Sequence, residues 1–378
     1  MIWDTTKYFL TYDQVFRKIY VRQIKSLRKD FFKIIENASK KNYKKIDWWV
    51  SPIGERNNYS TKLFHFICII DSIEYFYLKK IPIDKIIIDN VNLYKILEKK
   101  FPRYNFELKK TKNYSNIFIT ITKHLLVFLI SKIYKNNDKL KKFSKKIILV
   151  DKFVSSANLF EDRYYNHFFE RKKNVMYFPT IVNLKILKLI KTTIKIQRSK
   201  KFLSKFDLLN INDFIFSIFY LFRRKKLFVK NVYYKKINIS RIINDEILSN
   251  KNINASIIGI QNYLFVKRLA NKKIYFKKFI NWFENTAVDK GLNLGFNTFA
   301  KNIETIGYQG FTSYKEFMCL DPLHFEKKYN LLPNKIVCIG KNLIEPKKEF
   351  YKNIDIVLGP ALRFNHVYKN MNIKKKIP

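Results

Sequence analysis

Short runs of β-branched residues alternate along the chain with segments whose apolar residues recur at helical spacing. The run PIDKIIIDN (82–90) is bounded by proline and by Asp/Asn, and VNLYKILEKKF directly after it has apolar residues on one helical face. Further strand candidates are RYNFELK, KKIILVDKF (145–153) and NVMYFPT (174–180). Continuous apolar strands that alternate with helices predict a parallel sheet covered on both faces.

The same rhythm returns after a long helical stretch. In residues 181–270, Ile, Leu and Phe recur over a long segment that contains few helix breakers, and this pattern favours helices. From Lys277 onward, KKFINWFE, ETIGYQG, NKIVCIG and NIDIVLG each end at polar or glycine residues, where an α/β sheet places its ligand-facing loops. The predicted organisation is an N-terminal Rossmann-like α/β region (1–180), a mainly helical region (181–270) and a second, glycine-containing α/β segment (271–378).

The composition adds a large positive charge to this picture. The 75 Lys and Arg residues against 30 Asp and Glu give a formal net charge of +45, which suggests nucleic acid, an anionic membrane or an acidic substrate as partner. Glycine and proline are scarce while Lys, Asn, Ile, Phe and Tyr are abundant, as expected of an A/T-biased gene. Because the lysines are spread along the whole chain, a basic RNA- or ribosome-associated protein is the alternative interpretation and not the first one.

Cysteine usage and hydropathy predict a cytoplasmic protein. The cysteines are Cys68, Cys319 and Cys338. Their wide separation among apolar neighbours indicates buried thiols in a reducing compartment and argues against a zinc site. The N-terminus lacks the apolar core of a signal peptide, and the most apolar segment (114–134) is interrupted by Lys123, His124 and Lys132. That segment predicts a buried or amphipathic helix and not a membrane span, with lysines available for peripheral attachment to an acidic inner leaflet.

Six of the eight glycines fall between residues 291 and 359, although the composition otherwise suppresses glycine. They are Gly291, Gly295, Gly307, Gly310, Gly340 and Gly359. The clustering predicts a backbone requirement, either a positive φ or a close approach of chain or ligand. The alternative is that each glycine merely ends a strand or a helix. Glu284, Asn285, Tyr308 and Gln309 fall at the same predicted strand ends, which favours a binding site there.

Several blocks stand in an order that resembles one known family. WFENTAVDKGLNLGF (282–296), TIGYQGF (305–311), LLPNKIVCIG and VLGPALRF follow one another, after DWWVSPIGERNNYSTKLF (47–64) and a middle block, DRYYNHFF with YFPTI. Together they resemble the bacterial surface-carbohydrate biosynthesis proteins, regarded as glycosyltransferases of the two-Rossmann-domain GT-B type. The resemblance implies sugar transfer from a nucleotide-activated donor to a cell-surface polysaccharide or its lipid-linked precursor.

The same resemblance sets expectations for ligands and completeness. A nucleotide sugar is expected as the donor substrate, and a glycan or lipid-linked acceptor as the partner. No permanently bound cofactor is expected, and whether a divalent metal is needed stays open. Most of the donor-side domain is expected after GPALRF, so we expect that domain to be incomplete in this chain. A truncated, non-catalytic scaffold that keeps only acceptor binding is therefore a further alternative.

Glu55 is the first candidate for the base that glycosyl transfer with inversion requires near the acceptor hydroxyl. It lies in SPIGERN, and Asp47 is a weaker candidate. The substrate-binding candidates beside it are Trp48, Trp49, Arg56 and Asn57. The tryptophans offer faces for a sugar ring; in the alternative interpretation they belong to the core, and Glu55 and Arg56 form a surface pair.

Glu284 is the second catalytic candidate, and the residues after it complete a C-terminal site. Asn285 either holds sugar hydroxyls or caps the following helix. Further binding candidates are Tyr308, Gln309, Gly310 and Arg363. Tyr308 could stack on a sugar ring and Gln309 could bond a sugar hydroxyl, with core packing as the alternative for both. Arg363 suits a phosphate or an interdomain hinge, and a structural salt bridge is the alternative. The five histidines have no metal-ligand spacing, and His167 is the only one that we select for testing.

Several enzyme classes are disfavoured by missing motifs. The sequence has no GxxxxGK[ST], HExxH or GxSxG, and no GxGxxG after a strand. These absences argue against an NTPase, a zinc protease, a serine hydrolase and a simple dehydrogenase.

Overall fold

A computed structural model describes residues 1–109, 117–136, 138–141, 146–156, 158–159, 161–170, 172–182, 184–312, 317–365 and 367. The strands are β1 (Ile2–Asp4), β2 (Lys85–Ile88), β3 (Phe106–Leu108), β4 (Ile148–Val154), β5 (Val175–Ile181), β6 (Tyr233–Tyr234), β7 (Ile237–Asn238), β8 (Lys278–Trp282), β9 (Glu304–Gln309), β10 (Lys335–Cys338) and β11 (Ile356–Leu358). The helices are α1 (Gln14–Ser26), α2 (Arg28–Ser39), α3 (Ile46–Trp49), α4 (Pro52–Glu55), α5 (Leu63–Leu78), α6 (Val91–Lys100), α7 (Ile117–Ile133), α8 (Asp138–Lys141), α9 (Ile186–Arg198), α10 (Ile211–Ile218), α11 (Tyr220–Arg223), α12 (Ser240–Ile247), α13 (Ile253–Asn271), α14 (Ala287–Phe299), α15 (His324–Lys328) and α16 (Glu345–Lys348).

The chain folds into two units, and each is built from separate stretches of sequence. Unit 1 consists of Met1–Asn116, Leu221–Ile253 and Tyr314–Cys319. Unit 2 consists of Ile117–Tyr220, Asn254–Ser313 and Leu320–Pro378. Each unit contains a parallel sheet with helices, which confirms the predicted α/β class with Rossmann-like parallel sheets.

Unit 1 is organised around a small parallel sheet in the order β1-β2-β3. The β-branched run that forms β2 ends at Asn90, whose side chain accepts a hydrogen bond from the Leu93 amide at 2.8 Å and starts α6. The predicted strand and the helix after it are both confirmed. Trp3 of β1 stacks on Phe16 of α1, with ring centroids 5.0 Å apart, and α1 packs against α5.

Unit 2 contains a parallel sheet whose six strands, in the described residues, have the order β11-β10-β9-β8-β4-β5. The chain runs outward from β4 to β5 on one side, and from β8 to β11 on the other. The direction of winding therefore reverses between β4 and β8. Such a topological switch point is where α/β sheets bind ligands, in the crevice outside the carboxyl ends of the strands.

Helices α13 and α14 cover one face of this sheet. Phe178 of β5 lies 4.8 Å from Phe265 of α13, and Phe279 of β8 lies 5.0 Å from Phe296 of α14, measured between ring centroids. A Cβ on Gly291 of α14 would overlap with the backbone of Gly259 in α13. No glycine in the described residues, which include all eight, has a positive φ. Of the two expected backbone requirements, this position has the close approach and not the positive φ.

Helix α7 contains most of the apolar segment predicted at 114–134. Residues 114–116 lie outside the described residues, and the remainder is helical to Ile133, as predicted. His124, Phe128 and Ser131 are buried, whereas other apolar side chains of this helix are exposed. Among the described residues, no helix has both the length and the apolar character needed to cross a membrane.

Candidate functional site

Five side chains of unit 2 meet at the carboxyl edge of its sheet, beside the switch point. We call them the carboxyl-edge cluster; they are Tyr164, Trp282, Glu284, Tyr308 and Arg363. Trp282, the last residue of β8, donates its ring N–H to Glu284 Oε1 at 2.9 Å. The Trp282 ring lies 4.4 Å from Tyr164 and 5.8 Å from Tyr308, and the Arg363 guanidinium lies 5.9 Å from the Tyr164 ring. Three predicted site residues, Glu284, Tyr308 and Arg363, are thus brought together.

Tyr308 holds the C-terminal segment that carries Arg363. Its hydroxyl donates to the Pro360 carbonyl at 2.7 Å and accepts from the Leu362 amide at 3.1 Å. The ring itself is buried, so packing and anchoring replace the predicted sugar stacking. Gly310, directly after β9, has no room for a side chain, because a Cβ would overlap with the Tyr308 and Trp282 rings. The glycine allows these two rings to pack closely.

Glu284 is exposed to solvent, although protein atoms surround much of its carboxyl group. This partial desolvation raises the pKa of Glu284 above the usual value. The hydrogen bond from Trp282 and the positive charge of Arg363 oppose this increase. A carboxyl group with a raised pKa is a stronger base than an ordinary glutamate, which suits proton transfer near neutral pH.

Two buried aspartates, Asp289 and Asp151, interact electrostatically with Glu284. Burial raises the pKa of Asp289 to about 7, although Thr286 and Asn281 donate hydrogen bonds to it at 3.0 and 2.7 Å. The Glu284 amide donates to Asp289 Oδ2 at 3.2 Å. Burial likewise raises the pKa of Asp151 in β4 to about 8, and the charges of Asp289 and Glu284 add to the increase. Among the described residues, no group of three His, Cys, Asp or Glu side chains is arranged to hold a metal ion.

Asn285 and Gln309 serve other contacts. Asn285 is buried, with a left-handed backbone (φ 55°), and donates to Glu326 Oε2 at 3.1 Å. Its predicted capping alternative is wrong, because Thr286 and Asp289 form the capping box of α14. Gln309 follows Tyr308 in β9 and so points to the opposite face of the sheet, where its Oε1 accepts from Cys338 Sγ at 3.6 Å. Its buried Nε2 has no partner within the described ranges.

Trp48 and Trp49 lie in the core of unit 1. Both side chains are 0% exposed. Their ring N–H groups donate to Ser39 Oγ at 3.0 Å and to the Tyr43 carbonyl at 2.7 Å. In this conformation they offer no ring face to a sugar, which agrees with the core interpretation.

Glu55 and Arg56 are also buried, so they do not form the surface pair that the alternative interpretation predicted. Asn252 donates a hydrogen bond to Glu55, and Arg56 donates to the Met318 and Cys319 carbonyls at 2.5 and 3.3 Å. A carboxylate that is only 2% exposed is poorly placed to reach an acceptor hydroxyl. These contacts give both residues a role in joining separate stretches of unit 1.

The remaining candidates have local partners. Arg223 binds Asp47 through two hydrogen bonds of 2.9 and 2.7 Å. Asn57 accepts from the Tyr59 amide at 3.0 Å within a turn. His167 lies 2.8 Å from Glu170 and is exposed.

Sequence reasoning missed Trp282, Tyr164, Asp289 and Asp151 as members or neighbours of the site. The Thr286–Asp289 spacing is a capping-box signal that marks the start of α14. Asp151 is the one carboxylate of β4, whose other residues are apolar except Lys152. It could have been recognised from this position, because buried carboxylates are rare. Nothing in the sequence indicates that these residues share one sheet edge.

The fold and the cluster define a parallel α/β protein with a Rossmann-like sheet and a candidate site at its switch point. A comparison of the chain with protein-family models, with curated proteins and with solved structures found no match. Because one fold of this kind hosts many activities, the function is inferred from the residues of the site.

Proposed function

We propose that the protein is a glycosyltransferase that uses a nucleotide-activated sugar and has the carboxyl-edge cluster as its catalytic site. The observation that carries the proposal is an accessible carboxylate, Glu284, within the electrostatic influence of an exposed guanidinium, Arg363, at the switch point. A base and a positive charge are the two groups that inversion with a diphosphate leaving group needs. The ordered sequence blocks support the same function.

The proposed reaction moves one proton and one sugar. Glu284 accepts the proton of the acceptor hydroxyl, and the hydroxyl oxygen forms a bond to the anomeric carbon. The bond from that carbon to the diphosphate breaks, and the nucleoside diphosphate leaves with the electron pair beside Arg363. The Trp282 N–H fixes the orientation of the Glu284 carboxyl. In this scheme, Asp289 accepts a hydrogen bond from the backbone amide of Glu284.

The wider biological setting belongs to the same proposal. The acceptor is a growing surface polysaccharide or its lipid-linked precursor, and the chain belongs to the two-domain GT-B class. Arg363 supplies the positive charge for the leaving group, so magnesium is expected to be dispensable. The reaction takes place on the cytoplasmic side of the membrane.

Glu284→Gln should reduce sugar transfer by about 100-fold or more while nucleotide binding is retained, because the amide cannot accept the proton. The assay measures release of UDP or GDP from UDP-glucose, UDP-N-acetylglucosamine and GDP-mannose, with and without magnesium. Arg363→Ala should instead weaken binding of UDP or GDP by about tenfold, measured by calorimetry.

Glu304→Gln is the matched control, because Glu304 lies in the same sheet and pairs with Lys278 at the surface. It should leave both quantities unchanged. Full turnover by Glu284→Gln, or no binding of either nucleotide to the wild type at ~1 mM, would contradict the proposal. Retention on unrelated RNA at about 200 mM salt, without nucleotide-sugar binding, would favour the RNA-associated alternative.

An exposed apolar stripe on α7 supports the membrane setting. Phe118, Leu125, Leu129 and Ile133 recur at helical spacing, and Phe118 and Ile133 are 78% and 74% exposed. Helix α9 packs against α7 and adds the exposed Lys188 and Lys191, among others. An exposed apolar stripe on one helix and exposed lysines on a helix packed against it suit the interface of an anionic bilayer.

Ile133→Glu should weaken binding to phosphatidylglycerol vesicles by about tenfold, because it removes a large apolar group and adds a repelled charge. Flotation with vesicles measures the effect. Leu78→Glu is the control, since Leu78 of α5 is also 74% exposed but does not belong to the stripe. Equal losses in the two variants would show that the stripe has no special role.

A further inference from the structure

Unit 2 contains a cavity that shares no lining residue with the carboxyl-edge cluster. It lies between α7, α9, α13 and the carboxyl end of β5, and its volume is about 300 Å³. That volume is at the lower end of the range for small-molecule sites. Apolar side chains form much of its wall, including Val127, Ile181, Leu189, Phe206 and Ile258.

Three lining residues have polar atoms that are buried and have no partner in the described part of the chain. These atoms are Ser131 Oγ, Gln197 Nε2 and Gln261 Oε1, and each of the three residues is 0% exposed. The other end of each amide is engaged: Gln197 Oε1 accepts from Lys139 at 3.3 Å, and Gln261 Nε2 donates to Ser217 Oγ at 3.3 Å. The Gln197 side chain therefore has an unused donor, and the Gln261 side chain has an unused acceptor. Because buried polar groups are rarely left unpaired, these atoms indicate a ligand with complementary groups.

The charge of the lining favours an anion. Lys205 lines the cavity and is partly accessible, with Asn262 Oδ1 3.4 Å from its Nζ. The surrounding protein lowers the pKa of Lys205 to about 7, opposed by the charge of Asp151. Burial lowers the pKa of His124 to about 4, so this second lining group is neutral at neutral pH. Lys123 also lines the cavity, and the described lining contains no Asp or Glu.

We propose that this cavity binds a small amphipathic organic anion, with its acidic group at Lys205 and its apolar body against the wall of α7, α9 and α13. An N–H or O–H of the ligand donates to Gln261 Oε1, and an oxygen of the ligand accepts from Gln197 Nε2. An anion beside Lys205 stabilises the charged ammonium that burial disfavours. The site is separate from the proposed sugar-transfer residues, so either proposal can fail without the other.

Two fluorescent probes of nearly equal shape test the proposal. Anilinonaphthalene sulfonate has an aromatic body, an N–H donor and a sulfonate, whereas N-phenylnaphthylamine has the same body and donor without the charge. We expect the wild-type chain to bind the sulfonate at one saturable site, about tenfold more tightly than the neutral probe. Lys205→Met should abolish this preference and leave the affinity for the neutral probe unchanged.

Lys201→Met is the matched control, because Lys201 is an exposed lysine four residues away along the chain. It should keep the preference for the sulfonate. Val127→Trp adds bulk in the cavity at a partly exposed position, and it should abolish binding of both probes even where Lys205→Met fails to fold. Equal affinity for the two probes, binding without saturation at one site, or unchanged binding by Val127→Trp would overturn the proposal.

Discussion

Lys290→Met should lower the free energy of unfolding by about 3–5 kcal/mol, because it removes a cation that lies against a buried carboxylate. Lys290 Nζ lies 2.8 Å from Glu326 Oε1, and both side chains are 0% exposed. The Asn285 side chain and the Leu323 amide also donate to Glu326 Oε2, each at 3.1 Å, but neither carries a charge. Urea unfolding followed by circular dichroism measures the change.

Two further variants separate the charge effect from other causes. In Lys290→Met/Glu326→Leu both charges are absent, so part of the lost stability should return. Lys348→Met breaks an exposed pair with Glu345 at 3.2 Å and should cost less than about 1 kcal/mol. If Lys290→Met unfolds at the same urea concentration as the wild type, the buried pair does not stabilise unit 2.

Gly291→Ala should destabilise the protein by about 3 kcal/mol, because the new methyl group would overlap with the Gly259 backbone and force α13 and α14 apart. The expected sign is opposite to that of helix propensity, which favours alanine over glycine by about 1 kcal/mol. Thermal and urea unfolding give the magnitude. Packing between the two helices is therefore expected to outweigh propensity.

Gly340→Ala is the control for the glycine prediction. A Cβ there would meet only Leu343 side-chain atoms at 3.9 Å, which is ordinary contact. The change should be close to neutral. Gly291→Ala with wild-type stability would show that the two helices have room to separate.

Most strands of the two parallel sheets could be predicted from the sequence. Eight predicted runs correspond to β2, β3, β4, β5, β8, β9, β10 and β11. They were recognisable as short runs with apolar and β-branched residues bounded by polar, proline or glycine residues, although β3 and β11 are not buried on both faces. β1 (Ile2–Asp4) was missed because its sequence, Ile-Trp-Asp, is not a run of β-branched residues. The strands β6 and β7 were missed because two residues are too few to show any period.

The candidate site was only partly predictable. Glu284 and Tyr308 were selected because they fall at predicted strand ends, and the carboxyl ends of parallel strands share one edge. Arg363 was selected because its planar guanidinium suits phosphate oxygens. The segment around Glu55 was selected for the same residue types, yet its carboxylate and tryptophans are buried. Residue type and spacing indicate which chemistry a segment could perform, but exposure depends on what packs against it.

The sequence by itself determined the parallel α/β class and the position of most strands, because periodicity and β-branched runs are local properties of the chain. Only the tertiary structure decided the strand order that creates the switch point, the burial of Glu55 and the raised pKa of Glu284. It also decided that Gly291 is required by a helix contact. Strand order, desolvation and steric fit all depend on residues that are distant in sequence, and no local pattern records which of them become neighbours.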